Sequence, residues 1–525
     1  MSFQTPTAKT SISIEGLGRL DGFHYANGVE QFCGIPYGTL SKRWTRSKLC
    51  TSWENDYHDG TQLGSNCPRP QTSNANPDNP FIPVPPNPNF VRQPQTDEKT
   101  ALVVNIVIPQ QPAKDRKKKY PVILWIHGGS LLHGSANYGI YDAVNLVSHS
   151  VDIGWPVLVV SFNYRLGLGG FLASSQIEAE LERDGYSGKG NFGFTDQRLA
   201  SEWVQRYIGQ FGGDPGNVCA IGQSAGAISI GHHMAAKDPM IFHRAICMSG
   251  LGSTLLCRSR PEDHEAIFDA TCRYFSIDTK SPDALSQLRK IPEQTLADAD
   301  PIIQGVPSGN GNPCFDGWFY DHDPANVTQA PSWLKSFLLG DVRDEGLIFD
   351  VNLEKDTYQT VRETLLDQIQ DTKFVDAVLG QYGITSDLSS KELIDRTSQM
   401  GAEAVFKIQN YQTALINTQL QNQLFKYHFD QRSELPNILQ GKAYHGLDVL
   451  YLFMNLNNKL NEAERNLSRD LASACILFAW GQAPWLSGTG HGPWKIWGPN
   501  SAERMETEDE GERTRLYSRF DRLIQ

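Results

Sequence analysis

A serine flanked by glycines is the group in this 525-residue chain whose surroundings point most directly to chemistry. Residues 222–226 (GQSAG) follow an apolar run at 218–221 and precede a helical pattern. A strand, a tight turn and a helix in this order predict a nucleophile elbow, in which glycines let a strained turn expose the serine hydroxyl. The chain has 46 glycines, so an ordinary glycine-rich turn is the alternative. The placement favours Ser224 as a nucleophile.

A serine nucleophile needs N–H donors that are already in position to bind the oxyanion. Residues 125–130 (WIHGGS) end a predicted strand with two glycines, as expected where backbone N–H groups face a cavity. A simple strand-to-loop turn would have the same composition. The stretch lies about ninety residues before the elbow, as expected in folds that carry a nucleophile elbow, where the oxyanion loop follows an earlier strand. The backbone N–H groups of Gly129, Ser130 and Ala225 are therefore the predicted donors.

The serine also needs a base, and the base needs an acid to orient it. In the α/β-hydrolase arrangement the acid comes next in the chain, on a loop after a later strand. Residues 340–346 (GDVRDEG) follow a predicted strand, and three of their carboxylates compete for the role: Asp341, Asp344 and Glu345. The residue types leave this choice open.

The base follows the acid in the same chain order, and 13 histidines compete for the role. His445 stands in a loop between a predicted strand at 424–429 and a helical pattern. His491 lies in a glycine-rich loop and is the second candidate.

The elements that must position these groups are apolar runs alternating with helical patterns. Strands are predicted at 102–108, 121–126, 157–162, 218–221, 245–248 and 336–339, and helices at 195–208, 225–233, 390–418 and 461–481. Residues 11–37 alternate between apolar and polar types and predict short antiparallel strands. This alternation indicates an α/β fold with a large, mostly parallel sheet covered by helices on both faces.

Two segments interrupt the pattern. Residues 67–94 are rich in Pro and Asn and predict a long surface loop, either a connector or a flap beside a pocket. Residues 350–440 predict a helix-rich insertion near the pocket.

Composition excludes several classes of function. The net charge of −12 disfavours nucleic acid and anionic membranes as partners, and no apolar run is long enough to span a bilayer. Nine scattered cysteines show neither metal-type spacing nor a full disulfide framework, and no secretory signal is visible at the start. Two glycosylation sequons, at 326–328 and 466–468, count weakly for secretion. We expect a cytoplasmic protein.

Six segments together resemble the type-B carboxylesterase and lipase family, the cholinesterase-like branch of the α/β hydrolases. The matching segments, in order, are 32–37 (FCGIPY), 121–129 (PVILWIHGG), 163–172 (NYRLGLGGFL), 190–205 (GNFGFTDQRLASEWVQ), 211–215 (FGGDP) and the elbow GQSAGA. The resemblance implies a single α/β-hydrolase domain over residues 1–525.

The resemblance also implies roles that residue types alone left open. Glu345 matches the family's acid in its Asp-Glu-Gly signature, and His445 matches the catalytic histidine that precedes Gly-x-Asp/Glu. Ser249 resembles the serine that helps to hold this acid and histidine, although a satisfied serine at a strand end has the same pattern. For His232 and His233, in the helix after the elbow, we expect a packing role.

The chain departs from the family pattern at informative places. Ser130 stands where a third glycine is common, but its backbone N–H can still serve as a donor. Secreted members usually bridge a cysteine like Cys67 to one that would stand at Ala101, and the region around Gln287 offers no partner for Cys272. These departures favour the cytoplasmic expectation.

The expected function is hydrolysis of a small-molecule carboxylic ester through an acyl-enzyme on Ser224. An ester of a specialised metabolite is one candidate substrate. No metal or cofactor is needed for this chemistry. The same triad could instead pass the acyl group to another acceptor or close a lactone. A non-catalytic, cholinesterase-like binding protein is the alternative from another class. The sequence carries no signal for an oligomeric state.

Overall fold

One large sheet runs through the protein and carries the predicted site at one edge. The structure is a computed structural model, and it describes residues 3–71, 81, 83–110, 118–252, 259–304, 312–320, 329–350, 355–420, 422–490 and 492–506. The strands are β1 (Ala8–Ile14), β2 (Gly18–Tyr25), β3 (Val29–Pro36), β4 (Gly38–Thr39), β5 (Lys48–Leu49), β6 (Tyr57–Asp59), β7 (Val103–Pro109), β8 (Tyr120–Ile126), β9 (Leu158–Phe162), β10 (Gly213–Gln223), β11 (Arg244–Met248), β12 (Ser336–Val342), β13 (Leu424–Phe429), β14 (Trp494–Trp497) and β15 (Glu503–Glu506).

Thirteen of the described strands form one sheet in the order β1-β2-β3-β7-β9-β8-β10-β11-β12-β13-β14-β15, with β6 beside β2, and β4 and β5 pair in a separate two-stranded sheet. Strands β9, β8, β10, β11, β12, β13 and β14 are parallel to one another. The first strands pair in antiparallel fashion, as does the last pair. The predicted α/β fold with a mostly parallel sheet is confirmed.

Helices cover both faces of the sheet. They are α1 (Val144–Asp152), α2 (Gly167–Phe171), α3 (Ser175–Arg183), α4 (Phe192–Tyr207), α5 (Ala225–Ala235), α6 (Pro261–Tyr274), α7 (Ala284–Leu288), α8 (Glu293–Gln304), α9 (Tyr358–Ile369), α10 (Thr372–Gln381), α11 (Ser390–Ala402), α12 (Ile408–Ile416), α13 (Leu447–Phe453) and α14 (Glu462–Ala479). None of the helices in the described ranges is long and apolar enough to cross a membrane.

The two faces of the sheet pack into two separate apolar clusters. On β8, Val122 and Leu124 belong to the cluster that includes residues of α4 and α5. Ile123 and Trp125 belong to the cluster that includes residues of α1 and α14. Since successive side chains of a strand point to opposite faces, a strand buried on both faces must be apolar at every position. This explains why the central strands appear in the sequence as continuous apolar runs.

The two segments predicted to interrupt the pattern of strands and helices differ in secondary structure. Within 67–94, the described residues form no helix or strand. The helix-rich segment is narrower than the predicted 350–440, because its helices lie between Tyr358 and Ile416 and the chain then enters β13 of the central sheet. A π-helical turn at Glu403–Lys407 joins α11 to α12, so residues 390–416 form one nearly continuous helical stretch.

Candidate active site

Four parallel strands of the central sheet end at the edge where the predicted site lies. Strand β8 leads into the predicted oxyanion loop, β10 into Ser224, β12 into Glu345 and β13 into the loop that carries His445. The carboxyl ends of parallel strands meet at one edge of a sheet, which is where open α/β proteins bind their ligands. The topology therefore brings together segments that lie as far apart in the chain as residues 129 and 445.

Ser224 occupies a strained turn between β10 and α5. Its φ and ψ are 55° and −126°, an unfavourable backbone conformation for a residue with a side chain. Two backbone hydrogen bonds hold it there: the Ser224 N–H donates to Met248 O at 2.9 Å, and the Ile228 N–H donates to Ser224 O at 2.8 Å. The side chain is partly exposed at the start of the helix. This is the geometry that a nucleophile elbow requires.

The glycines around Ser224 are required by close approaches of the backbone. A Cβ atom at Gly226 would clash with the Ile126 carbonyl group, and one at Gly222 would clash with the Gly226 backbone. Helix α5 can therefore approach β8 only because these positions have no side chain. This close packing sets the distance between the nucleophile and the loop after β8.

His445 and Glu345 form a buried hydrogen-bonded pair. The distance between His445 Nδ1 and Glu345 Oε2 is 2.5 Å, and the exposed fractions are 8% and 0%. The other carboxylate oxygen of Glu345 accepts the Val342 N–H at 2.9 Å. The ring of Phe406 lies 4.7 Å from the imidazole ring and covers one side of it. The carboxylate is therefore placed to orient the imidazole and to stabilise its charged form.

The outward nitrogen of His445 contacts the residue that precedes Ser224. Gln223 Nε2 lies 2.9 Å from His445 Nε2, and Gln223 is only 6% exposed. Within the described part of the chain, the Ser224 hydroxyl makes no hydrogen bond to His445. The structure thus brings His445 to Glu345 directly and to the elbow through Gln223.

The predicted oxyanion loop follows β8 and folds back on itself. Gly129 has φ 116° and Ser130 has φ 58°, so both N–H groups are turned by left-handed backbone. The loop is closed by the His133 N–H, which donates to Gly129 O at 2.7 Å. Among the described residues, the N–H groups of Gly129, Ser130 and Ala225 have no acceptor. These three groups are available as donors to a ligand.

The competing carboxylates have other partners. Asp341 is fully buried and lies 2.8 Å from Nδ1 of His428 on the neighbouring strand. Asp344 accepts the Ala443 N–H at 2.8 Å, and its own N–H donates to Ala443 O at the same distance. Asp344 therefore joins the acid loop to the histidine loop. His491 lies outside the described residues.

Among the described residues, Ser249 makes no hydrogen bond to His445 or Glu345. It is fully buried at the end of β11, its N–H donates to Gly340 O at 2.8 Å, and its hydroxyl has no partner in the described part of the structure. His233 lies 2.9 Å from the Gln197 amide oxygen, and the Tyr320 hydroxyl lies 3.2 Å from Nδ1 of His232. Burial lowers the pKa of His232 to about 3 and that of His233 well below its usual value.

Sequence reasoning missed two residues beside the site, Gln223 and Asp448. Asp448 is fully buried on α13, where the Tyr427 hydroxyl donates to it at 2.7 Å. Burial raises the pKa of Asp448 to about 7, and the nearby Glu345 carboxylate adds to the rise. Their positions in the chain could have indicated both: Gln223 directly precedes Ser224, and Asp448 follows His445 by three residues.

The described residues contain no group of three or more His, Cys, Asp or Glu side chains that could hold a metal ion. The cysteines in the described ranges are all free and buried: Cys33, Cys50, Cys67, Cys219, Cys247, Cys272, Cys314 and Cys475.

Comparison with known proteins shows the family to which the chain belongs. Residues 6–521 match the model of the carboxylesterase family. Lipase 3 of Yarrowia lipolytica (strain CLIB 122 / E 150) is 29% identical over 474 residues, which cover 87% of this chain and 86% of the lipase. A solved structure of a PNB esterase is 25% identical with a TM-score of 0.75, covering 96% of this chain and 99% of that one.

One relative is described differently. The inactive carboxylesterase-like protein VdtD of Byssochlamys spectabilis is 31% identical over 336 residues, covering 61% of this chain and 54% of VdtD. The family model nevertheless spans nearly the whole chain, and the relatives include enzymes named for ester hydrolysis. The chain therefore belongs to the carboxylesterase family and is a carboxylic ester hydrolase.

Proposed function

We propose that this enzyme hydrolyses small-molecule carboxylic esters through an acyl-enzyme on Ser224, with His445 as general base and Glu345 as the acid that orients it. The single observation that carries this proposal is the buried 2.5 Å hydrogen bond between His445 Nδ1 and Glu345 Oε2, at the sheet edge where the strained Ser224 turn also lies. A base held by a carboxylate beside an elbow serine is the arrangement that activates a hydroxyl.

The proposed reaction has two half-reactions. Ser224 Oγ attacks the ester carbonyl carbon while its proton passes to His445 Nε2, and the carbonyl oxygen becomes an oxyanion. The C–O bond to the alcohol then breaks as His445 returns the proton to the leaving oxygen. In the second half-reaction, water attacks the acyl-enzyme carbonyl while its proton passes to His445 Nε2. The C–O bond to Ser224 then breaks as His445 returns the proton to Ser224 Oγ, which releases the free acid.

The proposed oxyanion donors are the N–H groups of Gly129, Ser130 and Ala225. Their support is geometric, because all three are free of acceptors among the described residues and belong to the two segments that meet at the elbow. Preorganised donors stabilise the charge that develops in the transition state, and removing a single one typically costs about 10²- to 10³-fold in rate.

The test compares the wild type with Ser224→Ala on p-nitrophenyl esters from acetate to palmitate. Ser201→Ala is a matched control, because Ser201 is a buried helical serine whose hydroxyl bonds to the backbone. We expect turnover and covalent labelling by an organophosphonate to disappear only in Ser224→Ala. Labelling of another residue in that variant would refute the assignment, and a folded wild type without turnover or labelling would support a non-catalytic protein.

A further inference from the structure

The amide of Gln223 occupies the position from which His445 must act. Its Nε2 is 2.9 Å from His445 Nε2, while Nδ1 of the same ring faces Glu345 at 2.5 Å. The side chain lies between the two loops that flank the elbow: a Cβ atom at Gly446 would be 3.6 Å from its Nε2, and one at Gly128 would be 3.0 Å from its Oε1. Gln223 is thus enclosed beside the imidazole rather than directed to solvent.

The proton inventory of these groups determines the state of His445. An amide nitrogen only donates, so His445 Nε2 must accept from it through its lone pair. The proton of the neutral imidazole is then on Nδ1, from where it donates to Glu345. This is the tautomer that a general base needs, but its lone pair is directed to Gln223 and not to Ser224.

We infer that Gln223 is a positioning residue that caps the Nε2 lone pair of His445 in the resting enzyme and turns away when Ser224 transfers its proton. This inference rests on the proposed catalytic role of His445. After the transfer both ring nitrogens carry a proton, so an amide NH₂ group can no longer face Nε2. Rotation of the Gln223 amide by a half turn about χ3, a torsion with a broad energy profile, presents the Oε1 acceptor to the imidazolium instead.

Gln223 brings an uncharged hydrogen-bond donor to Nε2 of His445. A donor to Nε2 favours the neutral ring, whereas a carboxylate at the same place would favour the charged ring. Among the described residues, the carboxyl groups near His445 are Glu345, in contact with the ring, Asp448 on α13, and Asp344, which binds the N–H of Ala443 in the same loop. They remain in every variant, so a change at residue 223 is tested against a constant background.

The first experiment measures kcat/KM against pH for the wild type, Gln223→Met and Gln223→Glu. Met fills a similar volume without a donor, and Glu adds a charge. We expect the acid limb to move to higher pH in both, by about one unit in Gln223→Glu and by less in Gln223→Met, since an imidazolium is not a base. Acid limbs at the same pH in all three enzymes would overturn the inference.

A second Gln–His contact in the chain supplies the matched control. Gln197 lies 2.9 Å from Nε2 of His233 and is also buried, but the pair belongs to α4 and α5 and does not join the elbow to the histidine loop. Gln197→Glu should leave the acid limb where it is in the wild type. An equal shift in this control would mean that any buried carboxylate produces the effect, and would also overturn the inference.

The second experiment does not depend on turnover. In Ser224→Ala protein with labelled histidine, NMR can follow the His445 ring through a pH titration, with the signal assigned by its loss in His445→Gln. We expect the Nδ1–H tautomer at neutral pH, and a ring pKa that rises from Gln223 to Met to Glu. The Nε2–H tautomer, or one pKa in all three, would overturn the role of Gln223 whether or not Ser224 proves to be the nucleophile.

Discussion

Replacing Gly128 by Ala should separate the nucleophile from the oxyanion loop without removing any catalytic group. Gly128 has an ordinary negative φ, so the substitution adds one methyl group and no backbone strain. That methyl group would lie 2.6 Å from Gln223 O and 3.0 Å from Ser224 Cβ. Both of these atoms belong to the elbow, one in its backbone and the other at the root of the serine side chain.

The size of the effect follows from these distances. Distances below 3.0 Å are essentially never seen for real Cβ atoms, and ordinary contact begins at 3.4 Å. The 2.6 Å approach must therefore open by 0.4 to 0.8 Å. A misplacement of about 1 Å at a reacting centre can cost about 100-fold in rate, so we expect kcat/KM to fall roughly 10- to 100-fold. Overpacking should also lower stability by about 1–3 kcal/mol.

The assay is steady-state hydrolysis of the best p-nitrophenyl ester, with thermal unfolding measured in parallel. Gly380→Ala is the control, because Gly380 is exposed near the end of α10 and a Cβ atom there would meet nothing within 4 Å. It should keep full activity and gain stability. If Gly128→Ala retained kcat/KM within about threefold of the wild type, the close packing of loop and elbow would not be what positions the oxyanion donors.

Two further predictions concern the carboxylates near His445. Glu345→Gln should lower kcat by about 10³- to 10⁴-fold with little change in folding, because the imidazolium loses its negative partner. Asp344→Asn keeps an acceptor for the Ala443 N–H and should stay within a few-fold of the wild-type kcat in the same ester assay. If Asp344→Asn lost more activity than Glu345→Gln, Asp344 would be the acid. Asp448→Asn should flatten the pH dependence of stability: the folded pKa of Asp448 is raised from 3.8 to about 7, so stability is present in full below pH 3.8 and is lost as pH rises through 7. The variant should therefore gain stability relative to the wild type as the pH rises from 3.8 to about 7, by about 4 kcal/mol in total in urea unfolding; parallel stability curves would contradict the raised pKa.

The core strands were predictable because they are buried on both faces. Their sequences are unbroken apolar runs, and β13 was predicted at 424–429, where the structure has it. Strand β10 was predicted only at 218–221, whereas it begins at Gly213. Its first half contains Gly, Asp, Pro and Asn, which strand propensity disfavours, and the register shifts between Gly213 and Val218. Tertiary pairing, and not local preference, makes this half a strand.

The proposed nucleophile could be chosen from a local sequence pattern, but the proposed acid could not. Ser224 is identified by a strand, a turn and a helix that are contiguous in the chain, whereas Asp341, Asp344 and Glu345 lie close together in the chain and differ in the direction of their side chains. Asp341 still belongs to β12 and pairs with His428 of β13, while Glu345 lies beyond the strand end, where the chain turns toward His445. Such directions are set by the pairing of β12 with β13. A family resemblance was needed to choose Glu345, and the cytoplasmic location remains a prediction.

The assembly of the site from β8, β10, β12 and β13 has a consequence for how the enzyme matures. Glu345 and His445 are 100 residues apart in the chain yet share a hydrogen bond, and the two strands that lead to them are paired. Contacts this remote close large loops of chain and form slowly. A refolding chain should therefore regain helix signal well before it can be acylated, and appearance of organophosphonate labelling would mark the moment when the sheet is complete.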